Sequence, residues 1–216
     1  MIRKRWFEIS LVVLALAAFV GLGAYCCPPF ASATTAALTA PATNAPAPEF
    51  SAMGADGKTH ALSDYRGKIV FLEWTSPVCE VTAGKYKSGA IQEFQKKVVD
   101  GGGVWLQISS AAKGTPGFMT PDKVAGLVQS RSIHLTQFLL DDSGTVGKLY
   151  GARSTPTLAL IDASSMLRYY GAYDDLPWGD MATAKHRYAE AALEAVNSGK
   201  PADPSRTAPY GCFIQY

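Results

Sequence analysis

The stretch Ile69-Val-Phe-Leu-Glu-Trp-Thr-Ser-Pro-Val-Cys79 constrains this chain more than any other. Its β-branched and aromatic residues read as a buried central strand, which stops at Thr75-Ser76-Pro77. A cysteine follows just where a helical pattern begins. Unpaired N–H groups and the dipole at a helix N-terminus favour negative charge, so a thiol delivered there ionises more readily. Glu80 opposes that effect, and Lys85 and Lys87 could offset Glu80. Cys79 is the residue around which a function has to be built.

The ends of the chain set its context. Arg3-Lys4-Arg5 is a basic n-region, Ile9 to Ala24 an apolar run, and Ala31-Ser32-Ala33 a small-x-small pattern, together an export signal over 1–33. The alternative is an uncleaved N-terminal membrane anchor, although a span needs roughly 20 apolar residues. Cys26 and Cys27 raise lipidation, against which the bulky Tyr25 stands. The expected location is the periplasm or cell envelope, with any membrane contact made through the N-terminal segment. Residues 34–48 are Ala, Thr and Pro without charge or periodicity, a linker. One domain over 49–199 and a tail over 200–216 follow. The net charge of +2 is spread without long runs, which excludes a nucleic-acid partner and a polyanionic substrate.

Removal of residues 1–33 leaves two cysteines, Cys79 and Cys212, and in an oxidising compartment they allow a single intramolecular pairing. That bond would tie the tail to the start of the central helix.

Along the domain, Glu49–Met53 and Lys58–Leu62 flank a Gly/Asp turn and read as a hairpin. After Cys79 the helical pattern is interrupted at Gly84, Ser88 and Gly89, which predicts a short first helix, a kink near Gly89 and a second helix to Asp100. Ile91, Phe94 and Val98 form its apolar face. Val104–Ser109 is a strand, Thr120-Pro121-Asp122 a helix start, and Thr136–Leu140 a strand before a short helix over 146–150. Thr155–Asp162 and Leu167–Gly171 form a second hairpin, and a last helix is expected over 181–197. Alternating strands and helices closed by a hairpin and helix make an α/β sandwich around a mixed sheet.

Several of these segments resemble the redoxin group, which joins the thioredoxin-like fold to the alkyl hydroperoxide reductase/thiol-specific antioxidant (peroxiredoxin-like) proteins. The resemblance rests on Ala47-Pro-Glu-Phe, Asp56-Gly57-Lys58, Leu62-Ser-Asp-Tyr-Arg-Gly-Lys68 and Gly144-Thr-Val-Gly-Lys-Leu-Tyr-Gly-Ala-Arg-Ser-Thr-Pro156. It implies a thioredoxin-like sandwich, a mixed central sheet flanked by helices with an N-terminal hairpin extension. It also implies a cis Thr155–Pro156 bond whose loop lies against Cys79, the one kind of peptide bond where cis costs only about 0.5–1 kcal/mol. Under the resemblance Thr155 and Pro156 position the substrate, Ser76 hydrogen-bonds the sulfur, and Trp74 stands near the thiol.

The chain departs from both family patterns. Thr82 occupies the place of the second cysteine in Cys-x-x-Cys, so exchange within one helical turn is closed to it. Ser76 supplies the hydroxyl of Pro-x-x-x-Thr/Ser-x-x-Cys, but Leu72 stands where its proline would be. Cys212 resembles the resolving cysteine of two-cysteine peroxiredoxins. The implied function is an exported redox protein in which the Cys79 nucleophile meets a disulfide or a peroxide, Cys212 resolves the product, and an external thiol or thioredoxin-type donor resets the pair. The alternative is a non-catalytic envelope protein with a structural disulfide, whose long loop would stabilise by about 4–5 kcal/mol in the chain-entropy account.

Other residues have plainer readings. Trp74, Trp105, Phe71 and Phe94 are core. His60, His134 and His186 are scattered away from metal-ligand spacing, so no metal and no cofactor is expected. Ser109-Ser110 and Ser164-Ser165 have no matched base for hydrolysis. Asp174-Asp175 before Pro177-Trp178 reads as a solvated turn or one wall of the thiol site.

Overall fold

The computed structural model describes residues 38–216. The expected signal or anchor over 1–33, with Cys26 and Cys27, lies outside the described residues. In chain order the elements are β1 (Ala45–Pro46), β2 (Ser51–Gly54), β3 (Thr59–Ala61), β4 (Val70–Trp74), α1 (Glu80–Lys85), α2 (Ala90–Asp100) and β5 (Val104–Ser109). Then come α3 (Pro121–Arg131), β6 (Gln137–Leu140), α4 (Thr145–Leu149), β7 (Ser154–Thr155), β8 (Thr157–Ile161), β9 (Met166–Gly171), α5 (Tyr188–Asn197) and β10 (Cys212–Phe213).

Eight strands form one mixed sheet in the order β1-β9-β8-β4-β5-β6-β2-β3. The β4–β5 and β5–β6 pairs are parallel and the others antiparallel. All five residues of β4 are buried, because both faces of the sheet are covered and the strand has no solvated side. Its side chains alternate. Phe71 stacks on Trp105 with centroids 4.8 Å apart and faces the layer built by α2, α3 and α5. Val70, Leu72 and Trp74 face the opposite layer, where Val146 and Tyr150 pack. Burying each such large apolar side chain contributes about 1.5–3 kcal/mol. The β2–β3 hairpin extends the sheet beyond β6, as expected.

The interrupted helix appears as α1 and α2. Gly89 at φ +88° opens α2 in a left-handed conformation that a Cβ would disfavour. Thr120 caps α3 by accepting the Lys123 N–H at 3.4 Å.

Two expectations are revised. The linker read over 34–48 enters the sheet in its last part, where Ala45–Pro46 pairs with β9 and Ala47 is buried. An outer strand tolerates the proline because one of its edges needs no ladder hydrogen bond. The last helix begins at Tyr188 rather than 181. Residues 181–183 make a 3₁₀ turn capped by Asp180, after which Ala184 turns extended. His186 then exchanges hydrogen bonds with Asp175, through backbone N–H to carbonyl and through N–H to carboxylate, and these hold the segment out of the helix.

Candidate active site

The sheet and the tail converge on Cys79. The sulfur is fully buried at the N-cap of α1, and the Cys79 N–H reaches the Ser76 carbonyl at 3.4 Å. Because α1 has six residues, the field at its start comes from the orphan N–H groups of one turn rather than from a long dipole. Cys79 and Cys212 are joined by a disulfide with Cα atoms 5.7 Å apart, inside the span such a bridge requires.

The tail reaches that position as a strand. β10 pairs antiparallel with β7, placing Cys212 opposite Thr155 and Phe213 opposite Ser154. The Thr155–Pro156 bond is cis, as the resemblance implied; a second cis bond, Asp203–Pro204, was not foreseen. Gly211 sits where the arm meets the proline loop: a Cβ there would stand 2.0 Å from the Thr155 carbonyl oxygen, and φ is +106°. Only glycine permits so close an approach. The Cys79 Sγ lies 3.2 Å from the same carbonyl. In the disulfide the sulfur has no proton to give, whereas a Cys79 thiol could donate to that oxygen.

Beside the disulfide lies a cavity of about 200 Å³, bordered by Thr75, Ser76, Ser110, Thr155, Cys212 and Phe213. Thr75 and Thr155 are buried there with unpartnered hydroxyls. Ser110 is committed to Asp141 at 2.6 Å. Of the sequence-predicted residues, Cys79, Cys212, Ser76, Thr155 and Pro156 come together at this spot. Trp74 does not border the cavity; it is fully buried against Tyr150, 5.3 Å between centroids, because its side of β4 faces the second core layer.

Sequence reasoning missed two buried polar clusters. Glu73, fully buried in β4, accepts from Tyr86 Oη at 3.0 Å, Trp105 Nε1 at 2.9 Å and Gln107 Nε2 at 2.9 Å. Burial raises its pKa above the ordinary value, and these hydrogen bonds oppose the rise. A lone carboxylate inside an apolar strand was the available signal. The second cluster corrects the solvated-turn reading of Asp174. Asp174 is buried and holds the buried Lys85 in a bidentate pair at 2.7 and 2.8 Å, so Lys85 is not free to offset Glu80. Tyr210, two residues before Cys212, donates to Asp174 Oδ1 at 2.7 Å. Nothing local in the sequence pairs residues so far apart. Among the described residues no group of His, Cys, Asp and Glu is arranged to hold a metal ion.

The model of the AhpC/TSA family matches residues 43–170. Three solved structures share the fold. A hypothetical protein of Sinorhizobium meliloti 1021 is 24% identical, with 82% of this chain and 96% of that chain covered and a TM-score of 0.71. An uncharacterized conserved protein of Geobacillus kaustophilus is 21% identical, with 81% and 92% covered and a TM-score of 0.69. A putative protein disulfide isomerase of Bacteroides thetaiotaomicron is 18% identical, with 73% and 89% covered and a TM-score of 0.53. No curated protein matches the chain. With a thioredoxin-like sheet that brings a cysteine to the start of a helix beside a cis-proline loop, and a family match over more than half its length, the chain belongs to the AhpC/TSA family.

Proposed function

We propose that this protein is a thiol-dependent oxidoreductase whose working couple is Cys79 and Cys212. The observation that carries the reading is the Cys79–Cys212 bond held beside Thr155–Pro156 and a small cavity with two unpartnered threonine hydroxyls. A permanent staple needs a bridge; it does not need a cavity bordered by Cys212 or buried hydroxyls left without partners around it.

In the dithiol form, the Cys79 thiolate attacks one sulfur of a substrate disulfide. A mixed disulfide forms, and the other sulfur leaves as a thiolate and takes a proton. Cys212 then attacks the Cys79 sulfur and releases the second substrate thiol. The protein loses two electrons and the substrate gains them. With a hydroperoxide, the Cys79 sulfur takes the outer oxygen and an alcohol departs; Cys212 then condenses with the sulfenic acid, releasing water. In both cases an external thiol or thioredoxin-type donor reduces the pair again. Ser76, Thr155 and Pro156 position the substrate.

The N-terminal pattern supports export over 1–33, with the domain over 49–199 and its arm over 200–216 on the oxidising side, in the periplasm or cell envelope, where such a bond persists. No helix among the described residues is long and apolar enough to cross a membrane, so anchoring would fall to the N-terminal segment. The burial of Cys79 and the hydrogen bonds that seat the arm favour a second reading, a purely structural disulfide in a non-catalytic envelope protein.

Turnover of a dithiol-driven disulfide or peroxide assay separates the two. Cys79→Ser abolishes it while the circular dichroism spectrum stays folded. A wild-type chain that turns over neither substrate sinks the catalytic reading.

A further inference from the structure

We propose that Tyr210 is a positioning residue: with the buried Asp174–Lys85 pair it latches the arm over Cys79 without covalent help, so that Cys212 stays in place when the disulfide is opened. The inference rests on the reading that the Cys79–Cys212 bond is opened during function.

The latch joins the same two parts of the chain that the disulfide joins, at a second point. Lys85 closes α1, the helix whose N-cap is Cys79. Tyr210 precedes Cys212 by two residues on the arm. Between them, Asp174 follows the end of β9 and is fixed to the body. Its Oδ1 accepts from Lys85 at 2.7 Å, Tyr210 at 2.7 Å and the Leu176 N–H at 2.9 Å, while Oδ2 accepts from Lys85 at 2.8 Å. The third Lys85 proton goes to the Leu176 carbonyl. The three Lys85 protons are used within the body; Tyr210 adds a further hydrogen bond to the carboxylate and covers the ammonium, whose nitrogen lies 5.3 Å from the phenol centroid. Seating Tyr210 therefore keeps water from an ion pair whose attraction strengthens as it dries.

A hydroxyl donating to a buried carboxylate is a charge-assisted bond, stronger than a neutral one. The backbone anchors at and after Cys212 are neutral: the two-residue β10–β7 ladder, the Ile214 N–H on the Arg153 carbonyl at 2.9 Å, and the Ala112 N–H on the Gln215 carbonyl at 2.7 Å. Farther from Cys212 on the arm, Arg206 donates to the Pro41 carbonyl and Lys148 lies over the Tyr216 ring. Of the contacts within two residues of Cys212, the Tyr210 bond is the one to a buried charge. Burial drives the Tyr210 hydroxyl pKa upward and the Asp174 charge adds to the rise, so the donor keeps its proton. With the latch closed, Cys212 meets a Cys79 mixed disulfide at high effective concentration, and outside thiols reach Cys79 only in the fraction of molecules whose arm has opened.

The test uses the full chain with Cys26→Ser and Cys27→Ser, and with Cys212→Ser so that the arm is held by non-covalent contacts alone. Iodoacetamide labelling of Cys79, followed by intact mass, reads the open fraction. Labelling is expected to be slow, and Tyr210→Phe, which keeps the ring, is expected to raise its rate about tenfold, the loss of one hydrogen bond to a charged group. The thermal midpoint of the body should change little. Equal labelling rates with and without Tyr210→Phe overturn the latch, as does fast labelling of both. A lowered thermal midpoint without faster labelling assigns Tyr210 a structural role and also overturns it. Labelling does not depend on turnover, so a protein that catalyses nothing can still pass this test, and an active one can fail it.

Discussion

At the residue scale, the site was legible where chemistry needs a particular side chain and illegible where it needs a partner. Cys79 and Cys212 stand out in the chain itself, Ser76, Thr155 and Pro156 through the family resemblance, and the fold brings the five to one spot. Lys85, Asp174 and Tyr210 do not stand out, because burial converts three ordinary surface residue types into one cluster and no local pattern announces that burial. Glu73 lies between these cases: its position inside an apolar strand is visible, its ring of donors is not. Its titration is testable. Burial holds its pKa above the ordinary 4.5, so the folded state binds a proton that the unfolded chain has released. The stability this contributes is complete below about pH 4.5 and is lost as pH rises through the folded value. Glu73→Gln cannot titrate, and its urea midpoint should lack that decline, which for one proton is at most about 1.4 kcal/mol per pH unit. Parallel profiles for the two proteins from about pH 4.5 to 7 contradict the assignment.

At the element scale, glycine and proline punctuation carried most of the reading. The break at Gly89, the start of α3 at Thr120-Pro121 and the strand after Pro156 all lie where the sequence put them. The last helix failed because apolar periodicity over 181–197 is silent about the Asp175–His186 hydrogen bonds that hold its first turns open. β10 also escaped notice, since a two-residue strand has no period and exists only because β7 offers an edge. That junction is sensitive to one atom. In Gly211→Ala the new Cβ would stand 2.0 Å from the Thr155 carbonyl at φ +106°, so the arm must shift or lose its register. Strain of this kind costs about 1–3 kcal/mol, and the oxidised variant should unfold at a correspondingly lower urea midpoint. An unchanged midpoint would mean that the arm seats without the close approach.

At the scale of the molecule, the sandwich was the most legible feature, since alternating strands and helices leave few ways to cover a mixed sheet. What the sequence left open was whether the tail merely ends the chain or completes the site. The structure answers that with β10: the tail fills the edge beside Thr155, borders the cavity and rests its Tyr210 on a buried ion pair. Under the proposed function, body and arm are one redox unit, closed in the disulfide form. The most direct test of that account is the reduction potential of the pair, in the full chain carrying Cys26→Ser and Cys27→Ser, trapped by alkylation across graded dithiol buffers and counted by intact mass. A reversible two-electron transition between about −120 and −270 mV is the predicted result. A bond that stays closed below about −300 mV would contradict it and make the disulfide a structural tie.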